Sequence, residues 1–180
     1  MKRLGILLLL FAMSNIAFAQ DSLLAVLPLV DSKVTYAEVV VVENTSEKEL
    51  NIRAKSWFAN TFNSSQNVIQ MDTQKKIIGK GFYSIRAGGN GIGGYYMQVW
   101  ITITLQFDQN RFKYTITDFI GEHNVNGNVK LPLEEWNGSW GKKGRDKRNG
   151  KVYPEVNAGI QDLIKTLISE MRDIASSDDW

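Results

Sequence analysis

From Tyr95 to Phe107 (YYMQVWITITLQF) the side chains alternate, with Met97, Val99, Ile101, Ile103 and Leu105 on one side and Gln98, Trp100, Thr102, Thr104 and Gln106 on the other. After the turn signal Asp108-Gln109-Asn110 the alternation resumes over Arg111 to Ile120, placing Phe112, Tyr114, Ile116 and Asp118 opposite Arg111, Lys113, Thr115, Thr117 and Phe119. Two such runs, joined by so short a turn, leave the chain little choice but an antiparallel pair. One face must be covered by apolar groups and the other stays wetter.

Two segments have the period to supply the cover. Ser46 and Glu49 have capping-box spacing, in which hydroxyl and carboxylate each satisfy one orphan N–H at a helix start. Leu50, Ala54, Trp57, Phe58 and Phe62 follow at helical spacing and stop at Asn63-Ser64-Ser65. A second helix is expected to start near Pro154, since the first turn does not need the missing N–H. Val156, Ile160, Leu163, Ile164, Leu167, Ile168, Met171 and Ile174 then form its stripe. Lys33 to Glu43 (KVTYAEVVVVE) reads as a strand after the turn signal Asp31-Ser32. Val68 to Met71 and Lys76 to Ile85 read as two short strands or one bent one, with Gly79 and Gly81 marking a bulge or a close approach of backbone. Gly121 to Lys151 is polar and glycine-rich and reads as a long loop. The expected fold is α+β, a two-layer sandwich of about four or five antiparallel strands with two helices on one face, in β-α-β-β-β-β-α order.

At the N-terminus, Lys2 and Arg3, the apolar run Leu4 to Met13, and Ala17-Phe18-Ala19 have the charged, apolar and small-x-small order of an export signal. Residues 1–19 are therefore expected to be removed, leaving Gln20 first, residues 20–180 as one domain, and an exported, periplasmic or secreted protein without a membrane span. Loss of Lys2 and Arg3 balances the 19 acidic residues with 19 basic ones. A neutral chain has no global field to gather nucleic acid. The absence of Cys excludes disulfides, thiol nucleophiles, iron–sulfur clusters and thiolate zinc sites. With 43% hydrophobic and 11% aromatic residues, stability is expected from an ordinary core.

Few residues suggest chemistry. Gly89, Gly91 and Gly94 spell GxGxxG, but a strand pattern follows where a dinucleotide site needs a helix N-terminus. His123 is the only histidine, with no nucleophile motif beside it. Glu134-Glu135 and Asp178-Asp179 are adjacent pairs whose carboxylates point apart on an extended chain. Asp118 shares the phase of the buried side chains, which would demand a partner and a shifted pKa, but at the end of its strand it is expected instead to reach solvent. Lys142, Lys143, Arg145, Lys147 and Arg148 follow Trp136 and Trp140. Such a stretch can grip anionic groups and stack on rings, or can be a solvated loop whose tryptophans cover a sheet edge. Trp100 lies on the wetter strand face, where an aromatic often marks contact. The candidate binding residues are therefore Trp100, Trp136, Trp140, Lys142, Lys143 and Arg145. No cofactor and no metal is expected.

The blocks LPLVDSKVTYAEVVVVE (Leu27 to Glu43), SEKELNIRAKSWF (Ser46 to Phe58), VIQMD (Val68 to Asp72), IIGKG (Ile77 to Gly81) and RFKYTITDF (Arg111 to Phe119) resemble, in order and spacing, an uncharacterised domain family of exported bacterial proteins with a fold like the TATA-box-binding protein. The resemblance implies a curved antiparallel sheet with helices on one side. It implies no reaction and carries over no functional residue, because function resides in sites and not in architecture. The glycine-dense segment 88–94 and the basic segment 142–148 depart from the family pattern. The reading is a non-enzymatic domain binding an envelope protein or a small ligand, not nucleic acid, through its open sheet face and the Trp136 to Arg148 segment. The alternatives are an envelope hydrolase using carboxylates such as Asp118 and Glu122, and a structural module that self-associates.

Overall fold

A computed structural model describes residues 26–62, 68–88, 95–123, 129–138 and 142–172, and the side chains of these except at 88, 95, 123, 129, 137–138 and 142–150. The expected leader, the GxGxxG glycines, Trp140, Ile174 and the Asp178-Asp179 pair lie outside the described residues, as do the side chains of His123, Lys142, Lys143, Arg145, Lys147 and Arg148.

In chain order the elements are β1 (Leu29–Val30), β2 (Lys33–Val34), β3 (Tyr36–Val41), α1 (Glu47–Thr61), β4 (Ile69–Thr73), β5 (Lys76–Gly88), β6 (Tyr95–Asp108), β7 (Arg111–His123), β8 (Val129–Pro132), a 3-10 helix (Leu133–Gly138) and α2 (Lys142–Arg172). Strands β3-β7-β6-β5-β4 form the main antiparallel sheet in that order, and β8 pairs with the distal half of β7 beyond the stretch used by β3. The sheet thus has six strands, exceeding the expected four or five by β8. β1 and β2 make a separate small hairpin whose two turn residues, Asp31 and Ser32, both have positive φ, the geometry that matches strand twist.

Both helices lie on one face, as expected. Leu50, Ala54, Trp57, Phe58 and Phe62 of the first stripe are buried, and so are Val156, Ile160, Ile164, Leu167 and Met171 of the second. They cover Met97, Val99, Ile101, Ile103, Leu105 and Phe107 of β6. Ser46 caps α1, its Oγ accepting the Glu49 N–H at 3.2 Å. The other half of the box does not form: the Glu49 carboxylate turns to Arg53 instead. Arg53 in turn donates to the Met171 carbonyl at 2.7 Å, closing the end of α2 with a positive charge where the helix dipole is negative. Gly79 and Gly81 prove to be sites of close approach. A Cβ on Gly79 would stand 2.4 Å from a Phe58 ring carbon, and one on Gly81 would stand 2.5 Å from a ring carbon of Phe62.

Two expectations are corrected. The stretch 121–151 is no long loop: it holds the end of β7, β8, the 3-10 helix and the first turns of α2. α2 starts at Lys142, so Pro154 is internal to it and not at its first turn. An internal proline removes one helix hydrogen bond and costs about 3 kcal/mol. The adjoining Val152 and Tyr153 offset that cost, both fully buried, with the Tyr153 hydroxyl donating to the Leu133 carbonyl at 3.2 Å.

Asp118 reaches solvent, as its place near the strand end suggests, and the register gives the reason. Thr102 pairs with Thr117 and Trp100 with Ile120, so Asp118 and Phe119 together oppose the single residue Ile101. This is a β-bulge, and Asp118 takes its left-handed position with φ 54°. The phase flips there. Phe119 enters the core and stacks near Tyr36 at 5.8 Å, while Asp118 is exposed.

Candidate functional site

The register writes out the uncovered face of the sheet in rows. Phe82, Trp100, Ile120 and Pro132 run across β5, β6, β7 and β8; Ser84, Gln98, Glu122 and Lys130 form the row on one side of them. Lys80, Thr102 and Thr117 form the row on the other side, followed by Ile78, Thr104, Thr115 and Ala37. Among the described residues no helix is laid over these rows, because both amphipathic stripes are spent on the opposite face. More than half of these residues are Thr, Ser, Gln, Lys or Glu, which is what keeps the face wet.

Within it sits one aromatic group. Phe82 (42% exposed) and Trp100 lie with ring centroids 4.8 Å apart, tilted by 47°. The Trp100 indole N–H donates to Glu122 Oε2 at 2.6 Å. Lys130 of β8 reaches the same carboxylate at 3.0 Å, and its ammonium stands 4.8 Å from the indole centroid. Trp100 is half-buried, and a cation over such a ring is worth about 0.5–2 kcal/mol. The Glu122 carboxyl is held below its usual pKa range by the Lys130 hydrogen bond and further by the indole donor, against a smaller opposing effect of desolvation. Glu122 is therefore a fixed anion that orients Trp100, the wrong state for a general acid at neutral pH. Tyr96 (70% exposed) extends the aromatic surface toward the start of β6. Among the described residues, Lys80 and Lys113 are exposed on this face and enter no ion pair.

A cleft of about 500 Å³ opens at the bulge, lined among others by Asp31, Lys33, Lys80, Asp118, Ile120 and Glu134. Glu134 is already engaged, its carboxylate accepting the Val34 N–H at 2.7 Å. Glu122 does not line this cleft, so the two carboxylates of the hydrolase alternative are not brought together in it. Among the described residues no group of three or more His, Asp or Glu is placed to hold a metal.

The sequence-derived candidates separate. Trp100 is on the open face, as the alternation requires. Trp136 is not part of any exposed surface: it is 7% exposed and lies on the helix side, against Gly121 and Met97. A Cβ on Gly121 would come 2.5 Å from the Trp136 ring, so this strand glycine makes room for the indole. The surface expected to join Trp100 with Trp136 is therefore not assembled, because the sheet lies between them. Lys142, Lys143 and Arg145 belong to the first turns of α2 and not to a loop. Sequence reasoning missed Phe82, Tyr96, Lys80 and Lys130. For Phe82 a signal existed: it shares the phase of Lys76, Ile78 and Lys80, opposite the glycines that face α1.

A twisted antiparallel sheet with two helices on one face and an aromatic, polar, uncovered second face defines an α+β domain of TBP-like architecture. Residues 36–120 match the model of a family described as "Domain of unknown function (DUF4468) with TBP-like fold". A crystal structure of a TBP-like protein from Parabacteroides distasonis is similar at TM-score 0.68 and 14% identity, over 82% of this chain and 98% of that one. A second, of a DUF4468 family protein from Bacteroides ovatus, is similar at TM-score 0.59 and 16% identity, over 79% and 90%. Among curated proteins none matches. These likenesses carry the fold.

Proposed function

We propose that this protein is an exported, non-enzymatic binding module, released from its leader after Ala19, that holds an envelope protein or a small ligand on the open face of its sheet. The observation that carries the reading is the Phe82–Trp100 pair, with Tyr96 beyond it, left accessible on the face that neither helix covers. Phe82 and Tyr96 are exposed and Trp100 is half-buried, and apolar ring area left in water costs about 25 cal/mol per Å² relative to burial, so a surface that keeps it is a surface for contact. Trp100 is also oriented in advance by Glu122 and Lys130, which lowers the ordering cost of binding. Exposed Lys80 and Lys113 favour a partner carrying acidic groups.

The test is recovery of the tagged protein from the envelope of its own bacterium, with bound partners and ligands identified by mass spectrometry. The wild type is expected to begin at Gln20 and to bring down a defined partner or ligand. A variant carrying Phe82→Ser and Trp100→Ser is expected to lose it while keeping its circular dichroism spectrum. Recovery of the wild type alone and empty, or equal recovery of the partner by the double variant, would count against the proposal.

A further inference from the structure

We infer that two copies of this chain join through the outer edge of β3, antiparallel about a two-fold axis at Val39, so that their sheets run on as one. The inference does not rest on the open-face reading. β3 is an end strand of the main sheet, and among the described residues it pairs with β7 alone.

The backbone directions along β3 follow from its two flanks. The Val42 N–H points toward β7, donating to the Asn110 carbonyl at 2.8 Å, whereas the Thr35 N–H points away and is held by the Pro28 carbonyl at 2.9 Å. Counting by twos, Ala37, Val39 and Val41 turn their N–H and C=O groups outward from the sheet. The same residues put their side chains on the open face, where Val39 is 54% and Val41 59% exposed. Unpaired edge groups beside β-branched apolar side chains are a template for another strand.

The two edges of the sheet differ. β4, at the far end, is interrupted by a register shift between Ile69 and Met71 and carries Asp72, paired with Lys55 at 2.6 Å. These are the devices that blunt an edge. β3 (YAEVVV) has no proline, no basic residue and a continuous register. Its single charge, Glu38, lies on the helix side and accepts the Tyr114 hydroxyl at 2.9 Å.

The sequence of β3 fits a second copy of itself. With Val39 opposite Val39, Ala37 falls opposite Val41 on both sides of the axis, and every outward residue exchanges both of its backbone hydrogen bonds. Shifting the register by two leaves one of these residues unpaired or runs onto Thr35, whose N–H is taken. In the centred register Glu38 faces Val40, so no like charges stand directly opposite, and the central pair is β-branched against β-branched. Such a contact is isologous and closes on itself. It also sets the two open faces side by side.

The absence of cysteine makes the test clean. Val39→Cys introduces a lone thiol at the axis, where residues directly opposite have Cα atoms about 5.5 Å apart, within disulfide reach. Mild oxidation should give a covalent dimer. Val41→Cys alone should stay uncrosslinked under the same conditions, but should crosslink when mixed with Ala37→Cys. Sedimentation of the unmodified protein should show a concentration-dependent dimer, and Val39→Lys should be monomeric with an unchanged circular dichroism spectrum. A wild type that remains monomeric across the concentration range, a Val39→Lys variant that still dimerises, or crosslinking of Val41→Cys as readily as Val39→Cys would each overturn the inference.

Discussion

Gly79→Ala puts one methyl group where α1 crosses β5. The backbone itself accepts alanine, since Gly79 is not in the left-handed region. By shrinking the unfolded ensemble the substitution would even stabilise by about 0.4–1 kcal/mol. Against this, the new Cβ would stand 2.4 and 2.7 Å from two carbons of the Phe58 ring. Ordinary carbon contacts are about 3.5–4.0 Å, so the overlap exceeds what a small shift relieves. Phe58 has nowhere to swing: it is fully buried and edge-on to Trp57 at 5.0 Å, with Phe62 at 6.0 Å. Overpacking of this kind costs about 1–3 kcal/mol, so the expected net loss centres on about 1.3 kcal/mol and lies between about 0 and 2.6 kcal/mol. The decisive measurement is a double-mutant cycle with Phe58→Leu, which removes the outer ring carbons that the methyl would strike. Urea titrations followed by circular dichroism should show Gly79→Ala to be neutral or stabilising in the Phe58→Leu background, a coupling of about 1–3 kcal/mol. Strictly additive losses would refute the claim that Gly79 exists to admit Phe58.

Burial raises the Tyr83 hydroxyl, with a further contribution from Tyr36, and pushes Tyr36 and Tyr114 up to about 12. The unfolded chain loses these protons near pH 10 and the folded chain holds them longer, so the linked stability is intact below pH 10 and falls as pH rises toward 12. Urea titrations across that window should show the decline, and Tyr36→Phe should flatten it; an unchanged slope would contradict the assignment. Asp118→Gly should be tolerated and Asp118→Val should destabilise by about 1–2 kcal/mol, because the bulge needs positive φ. Equal stabilities in thermal melts would show that the bulge is not held by that conformation.

Both helical stripes and the β6–β7 hairpin were legible because each depends on residues near one another in sequence, whereas Gly79 and Gly81 left a bulge or a close approach open, a choice that Phe58 and Phe62 of α1 decide by packing on them. The open face was half legible. Trp100 follows from alternation, but its partners Phe82, Glu122 and Lys130 come from three other strands, and register between strands is set by long-range pairing. The bulge at Asp118 was not legible: Phe112, Tyr114 and Ile116 keep strict alternation up to the residue where it begins, and Asp tolerates the left-handed region without announcing it.

What the amino-acid order determined alone was a layered α+β domain with one dry and one wet sheet face, since hydrophobic period is a local property that backbone geometry converts directly into sidedness. What only tertiary structure decided was the fate of 121–151. Four residues make β8 because β7 offers them an edge, Trp136 is drawn inside because Gly121 leaves a space, and α2 runs through Pro154 because Val152 and Tyr153 are buried beside it. In each case a weak local preference is overruled by packing and pairing against residues distant in the chain, a free energy that exists only once the rest of the fold is in place.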